Sequence, residues 1–354
     1  MLEGCSQDRV LVVPAGDTSY PEYIRKARIP LTAARLKVQS QPDLEPSRLP
    51  EALRILDGGM ASELERRGCD ISGPLWSAHV LDASPSVIGQ VHLDYLRAGS
   101  DCISTVSYQI SAMGYAELGR PPADAARTLR QSVEIALAAR EQYREENSRP
   151  IFIAASLGPY GAVLHNGAEF HGRYKLSFDD LVAFHAERLA IIAGTNADLV
   201  ALETVPSLEE ARAIATALGQ FPGISAWVSF TCKDAAHVAH GERLAECVAL
   251  LCTIPQVVAV GINCTAPQLI DRLIAEARTA TAKPVIVYPN SGELWDPENR
   301  RWYGSSNVSE FAQLALCWYS ARAHAVGGCC RTTPAHIRAV REALAGQILS
   351  TSRS

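Results

Sequence analysis

Ile151-Phe152-Ile153-Ala154-Ala155 is an unbroken apolar run with no polar alternation. A strand of that composition has to be covered on both faces, which is the situation of a parallel sheet clothed by helices. Working outward, runs of the same kind recur. Upstream lie Cys102-Ile103-Ser104-Thr105-Val106 and the shorter Arg54-Ile55-Leu56. Downstream lie Leu199-Val200-Ala201-Leu202, Ala226-Trp227-Val228-Ser229-Phe230, Val257 to Gly261, Pro284 to Tyr288, and the weakest, His324 to Gly327. Helical patterns fill the intervals. A small helix, Ala61 to Arg67, stops at Gly68, and Ser84-Pro85 opens one that closes at Gly99. Further helices are predicted over Ala123–Tyr143, Phe178–Ala193 behind Ser177, Gly241–Cys252, Ala266–Thr279 and Asn307–Ala323. Ser207 followed by Glu210 predicts a capping box, and Thr333 before Pro334 a last helix start. Eight strands alternating with helices predict a (β/α)8 TIM barrel over residues 51–348. The alternative is an open doubly wound sheet, but no glycine-rich dinucleotide fingerprint follows the first strand.

The chain has 354 residues and 47% hydrophobic content, enough for one large barrel. Residues 1–50 differ: Pro14, Pro21, Pro30, Pro42, Pro46 and Pro50 interrupt every periodicity. They predict an irregular, disordered or loosely packed extension, with at most a short basic helix over Ile24–Val38 broken at Pro30. The net charge of −5 and the lack of a basic block exclude a nucleic-acid partner. No apolar run approaches the roughly 20 residues of a membrane span. With no signal or transit pattern at the start, the expected setting is cytoplasmic. Ten cysteines in a reducing compartment are thiols or ligands, not a disulfide framework. Cys102, Cys247, Cys252 and Cys317 fall in apolar patterns and are expected to pack as small hydrophobes; Cys232 is expected to do the same.

Three thiols stand apart. Cys264 ends the run Val260-Gly261-Ile262-Asn263, and Cys329 and Cys330 follow Gly327-Gly328. In a barrel all strand ends face one rim, so these distant residues converge there, together with Asp57, Thr105 and Glu203. Adjacent side chains of a strand point to opposite faces, so two neighbouring cysteines on one ion require the backbone to leave strand geometry; Gly327-Gly328 is expected to permit this. Three soft thiolates suit one Zn2+ per chain, with a fourth position open. Such a net-negative site is a poor activator of water but suits a thiol that must lose its proton and stay nucleophilic. Attack on a sulfonium releases a neutral thioether and needs no general acid, which agrees with nine scattered histidines and no obvious catalytic one. Asp57 and Glu203 can hold the ammonium of an amino acid, and the Gly58 and Gly59 amides its carboxylate. From the residues alone other readings stay open. The thiols can be two buried cysteines and an unrelated third, the Cys329-Cys330 pair a redox dithiol, or the whole a non-catalytic zinc and amino-acid binding barrel.

Taken together, the motifs resemble the homocysteine S-methyltransferase family over residues about 52 to 345. The stretches that carry the resemblance are Leu56 to Leu64, Leu75-Trp76-Ser77-Ala78, His92 to Gly99, Ser107-Tyr108-Gln109, Gly158 to Ala162, Glu203-Thr204, Gly261-Ile262-Asn263-Cys264, Val287 to Glu293 and Gly327 to Pro334. The resemblance implies zinc on Cys264, Cys329 and Cys330, and homocysteine bound by its sulfur to zinc and by its amino group to Asp57 and Glu203; Gly58, Gly59 and Thr105 are expected to complete the substrate site. It implies methionine as product. Trp76, Tyr108 and Gln109 match donor-side positions, where an aromatic wall can hold a sulfonium by cation–π attraction. The Gly-Gly-Cys-Cys-Arg-Thr-Thr-Pro run resembles the branch using S-methylmethionine or S-adenosylmethionine; a betaine-type donor is the alternative. One departure is Ala321-Arg322-Ala323, where the family usually has Ala-Gly-Ala. The long C-terminal arm of the betaine-using branch has no counterpart, so no oligomeric assembly is implied.

Overall fold

The computed structural model describes residues 48–71, 77–296, 301–304 and 306–351. Nearly all of the expected extension, including the Ile24–Val38 helix, and the donor-side candidate Trp76 lie outside the described residues.

Seven of the apolar runs form one parallel sheet. Its strands are β1 (Cys102–Ser104), β2 (Phe152–Leu157), β3 (Leu199–Val205), β4 (Ala226–Phe230), β5 (Val257–Asn263) and β6 (Val285–Tyr288), followed, after a separate hairpin, by β9 (Ala325–Val326). The hairpin, β7 (Leu294–Asp296) with β8 (Arg301–Tyr303), is antiparallel and was not legible in the sequence. The sheet order is β1-β2-β3-β4-β5-β6-β9. Registers such as Leu157 beside Leu202, Phe230 beside Ile262 and Asn263 beside Tyr288 bring the C-terminal strand ends to one edge.

The first predicted strand is reduced to two parallel bridges, Ile55 to Val326 and Leu56 to Cys102. The physical reason is a side chain acting as a strand. Asp101 Oδ2 accepts from the backbone N–H of Arg54 (3.1 Å) and Ile55 (2.9 Å), taking donors that a ladder would use. The segment still lies between the two edge strands, with Leu56 N donating to Val326 O and Cys102 N to Ile55 O.

The strands alternate between two cores. Leu199, Ala201, Trp227, Ala259 and Ile286 pack on the concave side of the curled sheet, with Trp227 fully buried. Val200, Leu202, Val228 and Val260 face outward onto the helices. Burying both faces explains why β2 to β6 are written as continuous apolar runs.

Helix ends follow the sequence signals with some differences. Ser177 Oγ accepts from Asp180 N, and Gly99 closes its helix at φ 113°. Ser207 Oγ accepts from Glu210 N, but the reciprocal half of the predicted capping box is missing: the Glu210 carboxylate is turned to Tyr160, Tyr174 and His185 instead. Cys102, Cys232 and Cys247 are buried as expected, whereas Cys317 is exposed on the outer face of Val308–Ser320. Arg322, which stands where the resemblance expects glycine, adopts φ 75°. That left-handed conformation is unstrained only for glycine. No helix among the described residues is long and apolar enough to cross a membrane.

Candidate metal centre and substrate pocket

Three elements deliver the sulfurs. Cys264 follows the last residue of β5 and turns out of the strand at φ 48°. Its carbonyl accepts from Thr231 Oγ1 at 3.2 Å. Just before it, the Asn263 side chain ties neighbouring strand ends together. Its Oδ1 accepts from Thr204 N (2.8 Å) and Ser229 Oγ (2.9 Å), and its Nδ2 donates to Thr204 Oγ1 (2.8 Å). Thr204 is itself left-handed, at φ 64°. Two non-glycine residues in that region at one rim are strain that the surrounding bonds hold in place.

Cys329 and Cys330 sit in the loop after β9. Cys329 N donates to Pro289 O (2.8 Å), Ser291 N donates to Cys330 O (3.0 Å), and Thr332 Oγ1 donates to Cys329 O (2.7 Å). The left-handed turn is made at Arg331 (φ 65°), whose guanidinium bonds Glu293 and Glu65, each at 3.0 Å. The glycines before the pair therefore serve a purpose other than the expected one. Neither has positive φ. A Cβ on Gly327 would lie 2.5 Å from Leu56 Cβ, and one on Gly328 would lie 2.3 Å from Thr332 Oγ1. Close backbone approach, not unusual dihedrals, requires glycine here.

The outcome is a half-buried trio with all three Sγ atoms within 4.8 Å of one another. Cys264 Sγ is 2.7 Å from Cys329 Sγ and 3.8 Å from Cys330 Sγ. Among the described residues no other group of His, Cys, Asp or Glu meets in this way. The thiols share their protons unequally. Hydrogen bonds from Cys264 and then Cys329 hold Cys330 well below the ordinary thiol range, while bonding to Cys329 and Cys330 pushes Cys264 up. Three soft donors, with one already favouring thiolate, fit a tetrahedral thiophilic ion.

The expected carboxylates are at the same rim. Asp57 is 5% exposed; its Oδ2 accepts from Ser104 N (2.7 Å) and its Oδ1 from Ser104 Oγ (3.2 Å). Burial, with a contribution from Glu203, pushes its pKa up to about 8. Glu203 accepts from Ser156 Oγ, and burial followed by the Cys329 sulfur pushes it to about 7. Each carboxylate keeps acceptor capacity beyond these bonds. The Gly59 amide is engaged by Thr332, whose Oγ1 lies at 3.1 Å and whose carbonyl at 3.3 Å. Gly58 packs tightly against Thr332 and Tyr95. Thr105 is buried between strands, its Oγ1 accepting from Ser156 N (3.0 Å) and lying 2.5 Å from Ser107 Oγ. Tyr108 is half-buried and hydrogen-bonds Thr204, within the electrostatic reach of Glu169, Cys264 and Glu203. Gln109 is buried, with Nε2 donating to Ala162 O (3.2 Å).

Supporting residues went unread in the sequence: Ser104, Ser156 and Asn263, which orient the acids and the strand ends, and Tyr95, whose hydroxyl donates to Gly59 O. Serines at or next to the end of a strand carry no local signal. Only the registry of neighbouring strands gives them a role.

A parallel α/β sheet with three converging thiols at its C-terminal edge defines a class of α/β protein whose rim can hold a thiophilic metal ion. The chain belongs to the homocysteine S-methyltransferase family, whose model matches residues 54–344. It is 45% identical over 294 residues to homocysteine S-methyltransferase YbgG of Bacillus subtilis, covering 81% of this chain and 93% of that one. It is 42% identical to selenocysteine Se-methyltransferase of Brassica oleracea var. italica, covering 85% and 92%. The metallated form of the homocysteine methyltransferase MmuM from Escherichia coli superposes with a TM-score of 0.75 at 41% identity, covering 82% of this chain and 96% of that one.

Proposed function

We propose that this protein transfers a methyl group from a sulfonium donor, S-methylmethionine or S-adenosylmethionine, to the thiol of homocysteine, giving methionine. The observation that carries the proposal is the meeting of Cys264, Cys329 and Cys330 beside two buried carboxyls. Family membership and relatives that act on homocysteine or selenocysteine support it. The reading takes residues 51–348 as one closed (β/α)8 barrel in which 54–56 is the first stave, supported by the two bridges that flank it. It takes the setting as cytoplasmic, where the thiols stay reduced.

Cys264, Cys329 and Cys330 would hold one zinc ion. A bound zinc supplies the acidity by which an incoming thiol loses its proton near neutral pH. The chain's own side chains do the rest. Asp57 and Glu203 hold the homocysteine ammonium, each steadied by a serine. Gly58, Gly59 and Thr105 line the amino-acid end; the Gly59 amide keeps its bond to Thr332, so its part is to shape the turn. Tyr108 borders the donor, Gln109 fixes the Gly158–Ala162 segment through Ala162 O, and Trp76 is assigned to the donor wall. Because a sulfonium departs as a neutral thioether, no protonated side chain has to face the leaving group.

The test is methionine formation from homocysteine with S-methylmethionine, S-adenosylmethionine and betaine in parallel, alongside metal content per chain. One zinc per chain with no transfer from either sulfonium overturns the proposal; transfer from betaine alone overturns the donor assignment. The selenocysteine Se-methyltransferase relative supports a second acceptor at the same site, checked by adding selenocysteine to the panel.

A further inference from the structure

Glu169 lies on a short 3-10 turn, Ala168–Phe170, outside every motif that the sequence singled out. It is 7% exposed, and its Oε2 has no hydrogen-bond partner among the described residues. Its backbone is locked in place, because a Cβ on Gly161 would come within 2.4 Å of Glu169 N. The turn packs on β3, the strand that carries Glu203. Tyr108 and Cys330 both lie within its electrostatic reach. A buried carboxylate oxygen without a partner is unfavourable to folding. Burial accordingly pushes this acid up to about 7. Its packing on the strand that carries Glu203, within electrostatic reach of a half-buried tyrosine and of Cys330, gives it a ligand to meet.

We propose that Glu169 is the anionic contact for the cationic methyl donor, pairing with its sulfonium or ammonium group beside Tyr108. This rests on the sulfonium-donor reading above and names the residue that would select for positive charge. A neutral or anionic methyl compound finds an unpaired buried carboxylate there and is disfavoured.

The experiment compares the wild type with Glu169→Gln and Glu169→Asp. In Glu169→Gln the donor KM rises roughly 10- to 100-fold, as for loss of a charged hydrogen bond. The homocysteine KM and zinc content do not change, and the melting temperature holds or rises, because an unpartnered acid has been removed. Glu169→Asp keeps the charge and restores part of the affinity. Calorimetric titration with S-methylmethionine reads the same contact without turnover. Trimethylsulfonium, which has no ammonium, identifies the group that is paired: weaker binding to Glu169→Gln assigns the sulfonium, unchanged binding the ammonium. An unchanged S-methylmethionine KM and affinity in Glu169→Gln overturns the proposal. So does a parallel rise in both substrates' KM with a lower melting temperature, which marks a structural role. Failure of the wild type to transfer from any sulfonium is a different failure, that of the donor reading, and the calorimetric arm still judges Glu169.

Discussion

Two places in this molecule bury carboxyls whose pKa is pushed to about 8, and they are built for opposite ends. At the rim, Asp57 stands near Glu203 and the half-buried sulfurs. Under the loop after β2, Glu210 is fully buried among partners that all turn inward. It accepts from Tyr160 N at 2.7 Å, from the Tyr174 hydroxyl, and from His185 Nε2 at 3.0 Å. Arg188 Nη2 donates to His185 Nδ1 (3.1 Å) and to Gly158 O (2.8 Å). Since arginine cannot accept, Nδ1 is the acceptor and the imidazole proton sits on Nε2, facing Glu210. A perturbed acid thus marks a functional site only where its surroundings are left incomplete. Both Glu210 oxygens are engaged and the acid holds a loop; the rim has capacity to spare.

The comparison is broken most forcefully at the sulfurs. Cys329→Ala is expected to lose zinc and activity together, by more than the roughly 100-fold typical of residues outside the ligand set. Metal analysis and the methionine assay check it. Activity that survives without bound metal would return the redox reading of Cys329-Cys330 to contention. The matching change in the other region is Glu210→Ala. It strands the buried Tyr160 N–H and the His185 Nε2–H, so denaturant melts should show a loss of about 2–5 kcal/mol, each unsatisfied buried donor costing about 1–3 kcal/mol. Its zinc content should stay at the wild-type level. Should it lose zinc with no loss of stability, the division between the two regions would be wrong.

A gentler cut is Glu203→Ala. Zinc content should hold while the homocysteine KM rises roughly 10- to 100-fold, the loss of one charge-assisted bond. The pH profile sharpens the point. Asp57 near 8 and Glu203 near 7 are protonated below those values and ionised above them. Only the ionised form pairs with an ammonium, so the homocysteine KM should fall as pH rises through 7 to 8. Glu203→Gln should remove the lower part of that fall. A flat wild-type profile between pH 6 and 8.5 would show that neither acid holds the ammonium.

How much of this was legible depended on whether a residue's role is local. Continuous apolar runs announce strands covered on both faces, so β2 to β6 could be placed from composition alone. The thiols stood out by type and by their position after such runs. Arg54 to Leu56 looked like a full strand because nothing nearby reveals that Asp101, 46 residues on from Ile55, takes the backbone donors. Glu210 looked like a capping-box acid because its spacing is right; its true partners come from residues 25 to 50 positions away. Glu169 sits in the polar stretch Asn166-Gly167-Ala168-Glu169, which reads as surface until Gly161 packs against it. Tertiary registry, invisible to pattern, decides these cases.

The smallest expected effect is at Cys317. Its helix, Val308–Ser320, is largely apolar, and pattern alone assigns the thiol to the core. The fold turns it outward instead, since Phe311, Ala312, Ala315 and Trp318 already occupy the buried stripe and Cys317 falls off that face. An exposed thiol has little burial to lose. Cys317→Ser should change stability by no more than about 0.5 kcal/mol, the range of ordinary surface substitutions. It should leave zinc at one per chain and activity at the wild-type value, measured beside Cys329→Ala. A fall in metal content would mean that a fourth cysteine serves the ion, and the trio would no longer account for it.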